Sequence, residues 1–553
     1  MRRRMAVNTS QTSARAAAPV PGQVARKPGS FGKAEFAASI SPRLHSRWII
    51  AIAVMSSAVM EVLDTSVVNV SLPHIAGSLS SSTEEATWVL TSYIVANAII
   101  LPITGWLANF LGRKRLLMMV VTGFTLSSAL CGAAQSLPAL IIFRVLQGTT
   151  GGGIQPLSQA VLLEEFPGKE RGKAMAFWGM GIIVAPIFGP TLGGWITDNY
   201  TWRWVFYINL PVGILSFILI ALFLSDPPYI RRGSLRVDLW GLGMLALGMG
   251  SLQIMLDKGQ ENDWFGSDFI RVLAVMAAVF LTGFVIRELI AKEPIVRFKL
   301  FRYRQFATGI ALITILGFVL YGSLVLLPLF MQTLLGWTAT IAGVWMSPRG
   351  IATAVCMPLI GFLLGRGWDE RWMLASAFAV AGLSFFGFSH MTLQSGTWDI
   401  FWYLVMQGAG LAFLFVPLTT LTMASIPKEE TGYATSLYSV MRNIGSSVGI
   451  SFVTTAIARR SQFHQQILAA HITPESLSRP EFKALAAMLR ERGLDATAAA
   501  HGAQALIYQS LQQQAALLSY VETFRLMGIL FLVIIPLIAL MRRARHSEVD
   551  SLG

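Results

Sequence analysis

Two carboxylates lie inside an otherwise apolar stretch that runs from Trp48 to Val70. Glu61 and Asp64, in MEVLDTS, are three residues apart, and on a helix this spacing places both on one face. Hydrocarbon is a poor solvent for carboxylates, so acids inside membrane spans pair with a base or face a water-filled cavity, and many carry protons. Glu61 and Asp64 are therefore candidate proton-coupling residues.

A base lies at a matching depth in another apolar stretch. In LIIFRVLQGTTGGGIQP, Arg144 lies about six residues from one end of the stretch, or ~9 Å deep at 1.5 Å per residue, and Asp64 lies equally far from the end of its own. Burial raises a carboxylate's proton affinity and a nearby cation lowers it, so an acid that alternates between these settings can couple proton movement. A fixed Asp64–Arg144 pair that only joins two helices remains the alternative.

Further polar residues lie within apolar stretches and are candidates for substrate binding. Arg349 and Arg442 are each roughly 15 Å from the near end of their stretch. Glu61 is a second proton carrier, an attractor for a cationic substrate, or a polar group that faces water without titrating. For Gln332 and Gln407, a hydrogen bond between helices is an equally good interpretation. The predicted substrate-binding residues are Glu61, Gln147, Gln332, Arg349, Gln407 and Arg442.

The charges inside the spans predict a substrate preference. If Asp64 pairs with Arg144, Glu61 is left with two arginines, Arg349 and Arg442. A cavity with that balance should accept weakly acidic or neutral lipophiles better than permanent dications, because an uncompensated charge in a low-dielectric site is costly.

The composition is that of a polytopic membrane protein. Of 553 residues, 54% are hydrophobic and 13% are charged, where a soluble domain carries about 25% charge. The two cysteines, Cys131 and Cys356, indicate neither a disulfide framework nor a metal site. The formal charge of +14 is better explained by basic loops on one side of a membrane than by nucleic-acid binding.

Fourteen stretches are long enough to span a bilayer, which needs ~20 mainly apolar residues. With the N-terminus inside, 30 of the 43 Lys and Arg residues lie in cytoplasmic segments and 9 on the other side. This bias predicts that both termini are cytoplasmic. The predicted spans are 48–70, 88–108, 116–134, 138–162, 175–196, 204–225, 237–256, 270–290, 307–333, 341–364, 373–392, 399–424, 433–457 and 522–541.

Two segments fall outside the spans. The N-terminal tail, 1–46, is basic and resembles a transit peptide in composition, but a disordered cytoplasmic tail is the preferred interpretation. The segment 458–521 is the one large external segment, and EFKALAAMLRER and AQALIYQSLQQQAALLSYV within it predict amphipathic helices. This segment is either a tether between two spans or a docking surface for an external partner.

Small residues mark places where helices can approach closely or bend. The turn GWLANFLGRKR at 105–115 joins small residues to a basic cluster, and GMGIIVAPIFGPTLGGW carries a stripe of small residues with a proline inside it. The candidate gating residues are Gly105, Asn109, Gly112, Arg113, Gly181, Gly189, Pro190, Gly193 and Gly194.

Motifs for catalysis and for ATP binding are absent from the sequence. It has no GxxxxGK[ST] phosphate loop, no His/Cys ligand cluster and no nucleophile elbow. We therefore expect no enzymatic activity and no cofactor, and a transporter of this kind would use an ion gradient or run downhill.

Several motifs in order resemble the major facilitator superfamily, and within it the fourteen-span drug:proton antiporters of the EmrB/QacA type, in particular the EmrB branch. The resemblance covers about residues 45 to 541. It is carried by LDTSVVNVSLP, GWLANFLGRKR, RVLQGTTGGGIQP, GPTLGGW, WRWVFYINLPVG, LPLFMQTLLGWTATIAG, SPRG and SLYSVMRNIGSSVGIS.

The resemblance implies an all-α major facilitator fold with two six-helix bundles and two extra central spans. The implied units are a tail at 1–46, bundles at 47–225 and 307–541, linker spans at 226–306 and a cytoplasmic tail at 542–553. The long segment 458–521 lies within the second bundle and faces the periplasm.

The resemblance also implies a rocker-switch exporter of hydrophobic toxic compounds that is driven by proton influx. The family's acid in span one falls on Asp64 and its arginine in span four on Arg144. Relatives of the EmrB branch are pumps of the bacterial inner membrane that work with an EmrA-like membrane-fusion adaptor and a TolC-like outer-membrane channel. Besides protons and lipid, the expected partner is a lipophilic small molecule.

Two departures from the family pattern bear on gating. Asn109 stands where the family usually has Asp, which removes a charge from the cytoplasmic gate, and Ala176 and Ala185 stand where glycine is usual. Other functions remain open at this point: a passive facilitator, a specific importer or metabolite exporter, and a membrane scaffold that transports nothing.

Overall fold

The computed structural model describes residues 33–166, 168–226, 238–291, 294–472 and 480–541. Within these ranges the chain is helical, without strands, and the helices that bound the site belong to the larger of two compact units, Arg47–Gly553. The helices are α1 Lys33–Ser78, α2 Thr83–Ala86, α3 Trp88–Ile100, α4 Thr104–Leu111, α5 Arg113–Ala133, α6 Leu137–Gly151, α7 Ile154–Glu165, α8 Gly168–Asn199, α9 Trp204–Tyr207, α10 Asn209–Phe223, α11 Leu239–Lys258, α12 Asp268–Ile290, α13 Arg304–Thr333, α14 Ala339–Gly365, α15 Glu370–Phe388, α16 Thr397–Met423, α17 Thr431–Ala469, α18 Pro480–Glu491 and α19 Ala496–Ile538.

The first helix begins earlier than the apolar pattern indicates. Residues 33–46, which composition predicts to be disordered, form the start of α1, and its apolar part begins at Arg47. The rest of the predicted tail, 1–32, and the C-terminal tail, 542–553, lie outside the described residues.

Among the described residues, eleven helical segments are long and apolar enough to cross a membrane, and a twelfth is the bent helix α8. The bend of 44° in α8 falls between Pro186 and Phe188, where proline removes a backbone donor from the helix. The eleven are formed by α1, by α3 continued through α4, by α5, by α9 with α10, and by α11, α12, α13, α14, α15, α16 and α19.

The two other predicted spans are also helical, but one is interrupted and the other is less apolar than the twelve above. The span at 138–162 is divided into α6 and α7 by Gly152 and Gly153. The span at 433–457 lies within α17, where serine, threonine, Arg442 and Asn443 lower the hydropathy. The all-α fold is confirmed, whereas fourteen crossings stay a prediction at these two places.

The two ends of the bundle differ in packing. We call the end that carries Arg113, Lys114 and Arg115 the basic end. There the start of α17 packs on α4 and α7, and α8 packs on α14. Apolar side chains cover the outer surface, as lipid requires. Examples are Leu126, Ile142, Leu222, Val279 and Val533, each at least 60% exposed.

The helices α11 and α12 pack on each other, and α11 also contacts α3 and α17. Asp238 caps α11, because its Oδ1 accepts the backbone N–H of Gly241 at 3.1 Å. Nε of Arg287, in α12, donates to Oδ2 of Asp238 at 2.9 Å, and this hydrogen bond holds the pKa of the Asp238 carboxyl below its usual value. One ion pair thus joins the two helices at this end.

In the long segment 458–521, the described residues 458–472 and 480–521 are mostly helical. α17 continues to Ala469, and the predicted amphipathic stretches are confirmed as helical in α18 and α19. The first 26 residues of α19 precede the predicted span 522–541 and extend ~39 Å at 1.5 Å per residue. Nε2 of Gln465 donates to the Tyr508 hydroxyl at 2.7 Å and joins the two extended helices.

Candidate functional site

A buried ion pair joins α1 to α6. Nη1 of Arg144 lies 2.6 Å from Oδ2 of Asp64, and both side chains are fully buried. The sequence predicts that Asp64 and Arg144 lie at the same depth, and the structure confirms that they are in contact. A buried pair of this kind is stable only when hydrogen bonds satisfy its remaining polar atoms.

Two amides complete the surroundings of Asp64. Nε2 of Gln147 donates to Oδ1 at 3.0 Å, and Nδ2 of Asn209, in α10, donates to the same oxygen at 2.7 Å. Arg144 is held in turn, because its Nε donates to the carbonyl of Val89 at 3.0 Å and its Nη1 to Oε1 of Gln147 at 2.8 Å. Four helices thus fix one carboxylate.

Tyr93, in α3, touches both acidic sites. Its ring centroid lies 4.1 Å from Cζ of Arg144, a cation–π contact, and its hydroxyl donates to Oε1 of Glu61 at 3.2 Å. A single buried side chain therefore separates the ion pair from the second acid.

Glu61 belongs to a polar bridge between early and late helices. Nδ2 of Asn97 donates to Oε1 of Glu61 at 3.2 Å, and Nε2 of Gln155, in α7, donates to Oε2. Nη2 of Arg442, in α17, donates to Oε1 of Gln155 at 2.5 Å. The amide of Gln155 thus connects an acid of α1 to a base of α17.

This bridge forms part of the wall of a central cavity of about 720 Å³. The cavity begins near mid-height of α1, α13 and α17 and extends away from the basic end, to Val70, Gln332 and Thr454. Its lining is mostly apolar with a few polar groups, which is typical of sites for small organic molecules.

The predicted substrate-binding residues divide into two groups. Glu61, Gln332 and Arg442 line the cavity, whereas Gln147, Arg349 and Gln407 do not. Gln147 instead orients Asp64 and Arg144. Nη1 of Arg349 and both side-chain polar atoms of Gln407 are buried and lack a hydrogen-bond partner among the described residues. A substrate in the cavity would not touch these three residues, because they lie among helices away from its wall.

Close backbone contact shuts the basic end. A Cβ added at Gly105 would lie 2.8 Å from the carbonyl oxygen of Gly432 and from Cα of Tyr433, so only glycine fits between α4 and α17. Beside this contact, Oγ of Ser436 donates to the carbonyl of Leu101. The cavity is therefore closed at the basic end in this conformation.

The turn that contains the uncharged Asn109 has an ion pair at Arg113. Arg113 pairs with Glu164 of α7, and both side chains are buried. Gly112 has φ +87°, and a Cβ there would lie 2.5 Å from Oδ2 of Asp226, whose Oδ1 accepts the backbone N–H of Lys114 at 2.8 Å. The turn keeps its ion pair and its glycine although the usual aspartate is missing.

The small residues of α8 face α1. Cβ atoms added at Gly181 and Gly193 would lie 2.6 Å from Cγ2 of Val59 and 2.9 Å from the carbonyl oxygen of Val67, and Gly189 packs against Ser66. Pro190 lines the cavity. Gly194 differs from the rest of the stripe, because nothing lies within 4 Å of a Cβ built on it.

Several residues of the site give no distinct signal in the sequence. Asn209, Tyr93 and Gln155 are uncharged, and a polar residue within a span does not by itself indicate which helix it faces. Asn209 and Gln155 lie within stretches that carry the family resemblance, WRWVFYINLPVG and RVLQGTTGGGIQP. Asp257 also lines the cavity, although it follows the predicted span 237–256, where the apolar pattern indicates a loop.

Apolar helices of spanning length, a buried ion pair and a central cavity define a multi-pass membrane transporter. The family model of the Major Facilitator Superfamily matches residues 54–450. The chain is 43% identical to the multidrug export protein EmrB of Haemophilus influenzae over 77% of this chain and 83% of that protein. It is 39% identical to the fatty acid resistance protein FarB of Neisseria gonorrhoeae over 88% and 94%, and 37% identical to EmrB of Escherichia coli over 89% and 94%.

The chain belongs to the major facilitator superfamily and, within it, to the EmrB type of transporter, as the motifs indicated. Solved structures support the fold. The human organic anion transporter MFSD10 superimposes with a TM-score of 0.56 at 13% identity, covering 88% of this chain and 99% of that one. The proton:xylose symporter XylE gives a TM-score of 0.54 at 14% identity, covering 89% and 95%.

Proposed function

We propose that this protein is a proton-coupled antiporter that exports hydrophobic toxic compounds by alternating access. The names of its relatives support export of more than one kind of lipophile, since they include multidrug export proteins and a fatty acid resistance protein. The cavity, apolar with few polar groups, fits a broad preference of this kind.

The observation that carries the proposal is the separation of Asp64 from the cavity by Tyr93. Asp64 is buried beside Arg144 and does not line the cavity, whereas Glu61 does. The ring of Tyr93 lies against Arg144 and its hydroxyl donates to Glu61. A proton on Asp64 would weaken its attraction for Arg144, and a shift of Arg144 would move Tyr93 and so reach the cavity wall.

A movement of Tyr93 would also affect the bridge that Gln155 forms between Glu61 and Arg442. Gln155 holds Glu61 and Arg442 together, and these residues belong to helices that must separate when the basic end opens. In the proposed cycle, a proton from the periplasm reaches Asp64 and alters the Tyr93–Glu61 contact, the bridge breaks, and the contact of Gly105 with α17 opens toward the cytoplasm. There the proton leaves and substrate binds. The substrate-loaded protein then returns to the conformation described here and releases substrate to the periplasm.

The proposed location is the bacterial inner membrane, with the N- and C-termini in the cytoplasm. The basis is the concentration of Lys and Arg in the segments between spans on one side. The basic end is then cytoplasmic, and the cavity extends toward the periplasm, as export requires.

We further propose that the protein is the inner-membrane pump of a tripartite system. The extended parts of α17 and α19, together with α18, form a helical projection that we call the stalk, residues 458–472 and 480–521. Apolar side chains remain exposed on the stalk, which supports contact with an EmrA-like adaptor that leads to a TolC-like channel. They include Phe463, Ile467, Met488, Leu494, Leu506 and Tyr508.

The test is transport in everted vesicles under an imposed pH gradient, with a panel of lipophilic compounds. An antiporter accumulates substrate against its gradient and releases protons when substrate is added. A passive facilitator or an importer would equilibrate substrate without moving protons, and a scaffold would move neither. Either of these outcomes would refute the proposed function.

A further inference from the structure

We propose that α11 is a wall of the substrate cavity and that Asp257 on this helix binds the charged group of a lipophilic organic cation. This inference rests on the proposed function, because it names a substrate class for the same cavity. It also assigns a role to one of the two helices that the resemblance treats only as a linker.

The position of α11 supports the first part. Its last turns and the residue pair beyond them face the cavity. On one side, Asp257 accepts a hydrogen bond from Thr91 of α3, and Lys258 donates one to Thr87, which precedes α3. On the other side, Oγ of Ser447, in α17, donates to Oε1 of Gln253 at 2.9 Å. The cavity-lining residues of this segment are Gln253, Leu256, Asp257, Gln260 and Glu261.

The helix therefore closes a gap between early and late helices. α3 and α17 both contact α11, and Nε1 of Trp264, just past the helix, donates to Oγ1 of Thr455 at 3.0 Å. Without α11, the cavity would open sideways to lipid between α3 and α17. A substrate in the cavity thus lies against α11 as well as against the two sets of helices.

The carboxylate of Asp257 forms no ion pair among the described residues, although Lys258 adjoins it in the chain and attracts it electrostatically. Its Oδ2 accepts a hydrogen bond from Oγ1 of Thr91, and among the described residues no lysine or arginine lies within ion-pair distance of it. The neighbouring Lys258 is engaged elsewhere, since its Nζ lies 2.7 Å from Oε2 of Glu261 and 2.5 Å from Oγ1 of Thr87. Asp257 is thus a charged group on the cavity wall with room for a cationic partner.

The other charges on the cavity wall offset one another. Glu61 and Arg442 carry opposite charges and both hydrogen-bond to Gln155, and Glu261 pairs with Lys258. Arg349, which the sequence-based charge balance counted toward the cavity, does not line it. The charge balance that predicts a preference for acidic lipophiles therefore includes one arginine too many, and the excess charge among the cavity-lining residues is negative.

The surroundings of the cavity suit the apolar part of such a substrate. Leu324, Val325 and Leu329 of α13 and Met346 of α14 line it. Tyr321 adds an aromatic ring, and the faces of such rings attract organic cations. The recognised class is a monocation whose charge is spread over, or attached to, an apolar body.

The experiment measures binding of tetraphenylphosphonium and of the neutral dye N-phenyl-1-naphthylamine to the purified full-length protein. We expect Asp257→Asn to weaken tetraphenylphosphonium binding at least about tenfold, or ~1.4 kcal/mol, and to leave binding of the dye unchanged. Asp257→Glu should restore most of the affinity. Asp268→Asn, which removes the same charge from the exposed start of α12, is the matched control and should change neither value.

Three results would overturn the inference: wild-type protein that does not bind tetraphenylphosphonium, an Asp257→Asn variant that binds it normally, or equal losses for both ligands, which would show a structural defect. Transport measurements separate this inference from the proposed function. If tetraphenylphosphonium binds through Asp257 but a pH gradient drives no transport, the proposed function is wrong and the binding site stands.

Discussion

The carboxylate of Asp64 lies 2.6 Å from Nη1 of Arg144, with both side chains completely buried and contributed by different helices. Buried pairs are rarely a source of net stability, but loss of one partner leaves an uncompensated charge and costs about 3–5 kcal/mol. The stability of each buried charge therefore depends on the presence of the other.

The first prediction concerns the stability of this pair. Asp64→Asn and Arg144→Gln should each lower the melting temperature in detergent, because each leaves the other charge unpaired. The double variant should be more stable than the sum of the two losses implies, with an interaction energy of about 1–3 kcal/mol. Strictly additive losses would show that the two side chains do not interact energetically.

The second prediction concerns the bridge between Glu61 and Arg442. Gln155→Leu removes the amide that joins them and should favour opening of the basic end. Cysteine labelling at position 436, beside the closed contact, should then become several-fold faster in membranes.

The control for this experiment lies one turn further along α7. Gln159 is buried, and its side-chain amide has no hydrogen-bond partner among the described residues. Gln159→Leu should leave the labelling rate unchanged. Equal acceleration by both variants would mean that the bridge does not hold the basic end closed.

The third prediction concerns the contact of Gly105 with α17. Gly105→Val should prevent closure of the basic end, because even a Cβ would lie 2.8 Å from the backbone of Gly432 and Tyr433. We expect transport to fall at least about tenfold while the protein remains in the membrane. Gly194→Ala is the control, since its Cβ would meet open space, and transport at wild-type rate by the Gly105 variant would contradict the packing argument.

The fourth prediction concerns the stalk. Replacement of residues 470–495 with a short Gly/Ser linker removes α18 and keeps the paired helices α17 and α19. Vesicle transport should be unchanged, whereas cellular resistance and cross-linking to an adaptor should fall. If resistance and cross-linking both stay at wild-type levels, the stalk is only a tether.

The sequence is most informative where a charged residue lies inside an apolar stretch. Acids and bases inside apolar stretches are rare and costly, so the sequence alone identifies Asp64, Arg144, Glu61 and Arg442, and the predicted match in depth of the first two is correct. Uncharged groups such as Tyr93 carry no such signal, because their roles depend on which neighbour each helix faces.

Element boundaries are predicted less accurately, for identifiable reasons. α17 and α19 continue far beyond the apolar stretches that define their spans, since an amphipathic helix needs no apolar run. The role of Asp257 is not predicted, because a charged residue at the end of a span is typical of the start of a loop. The placement of Arg349 in the cavity is wrong, because a sequence does not show that a buried group points into a helix interface.

The central claim, that export is coupled to protons through Asp64, is tested most directly with purified protein in proteoliposomes. A pH gradient is imposed, and uphill accumulation of a lipophilic substrate is measured together with substrate exchange in the absence of a gradient. Wild-type protein should do both, and Asp64→Asn should lose uphill accumulation while it retains exchange. Uphill accumulation by Asp64→Asn at the wild-type rate would contradict the claim.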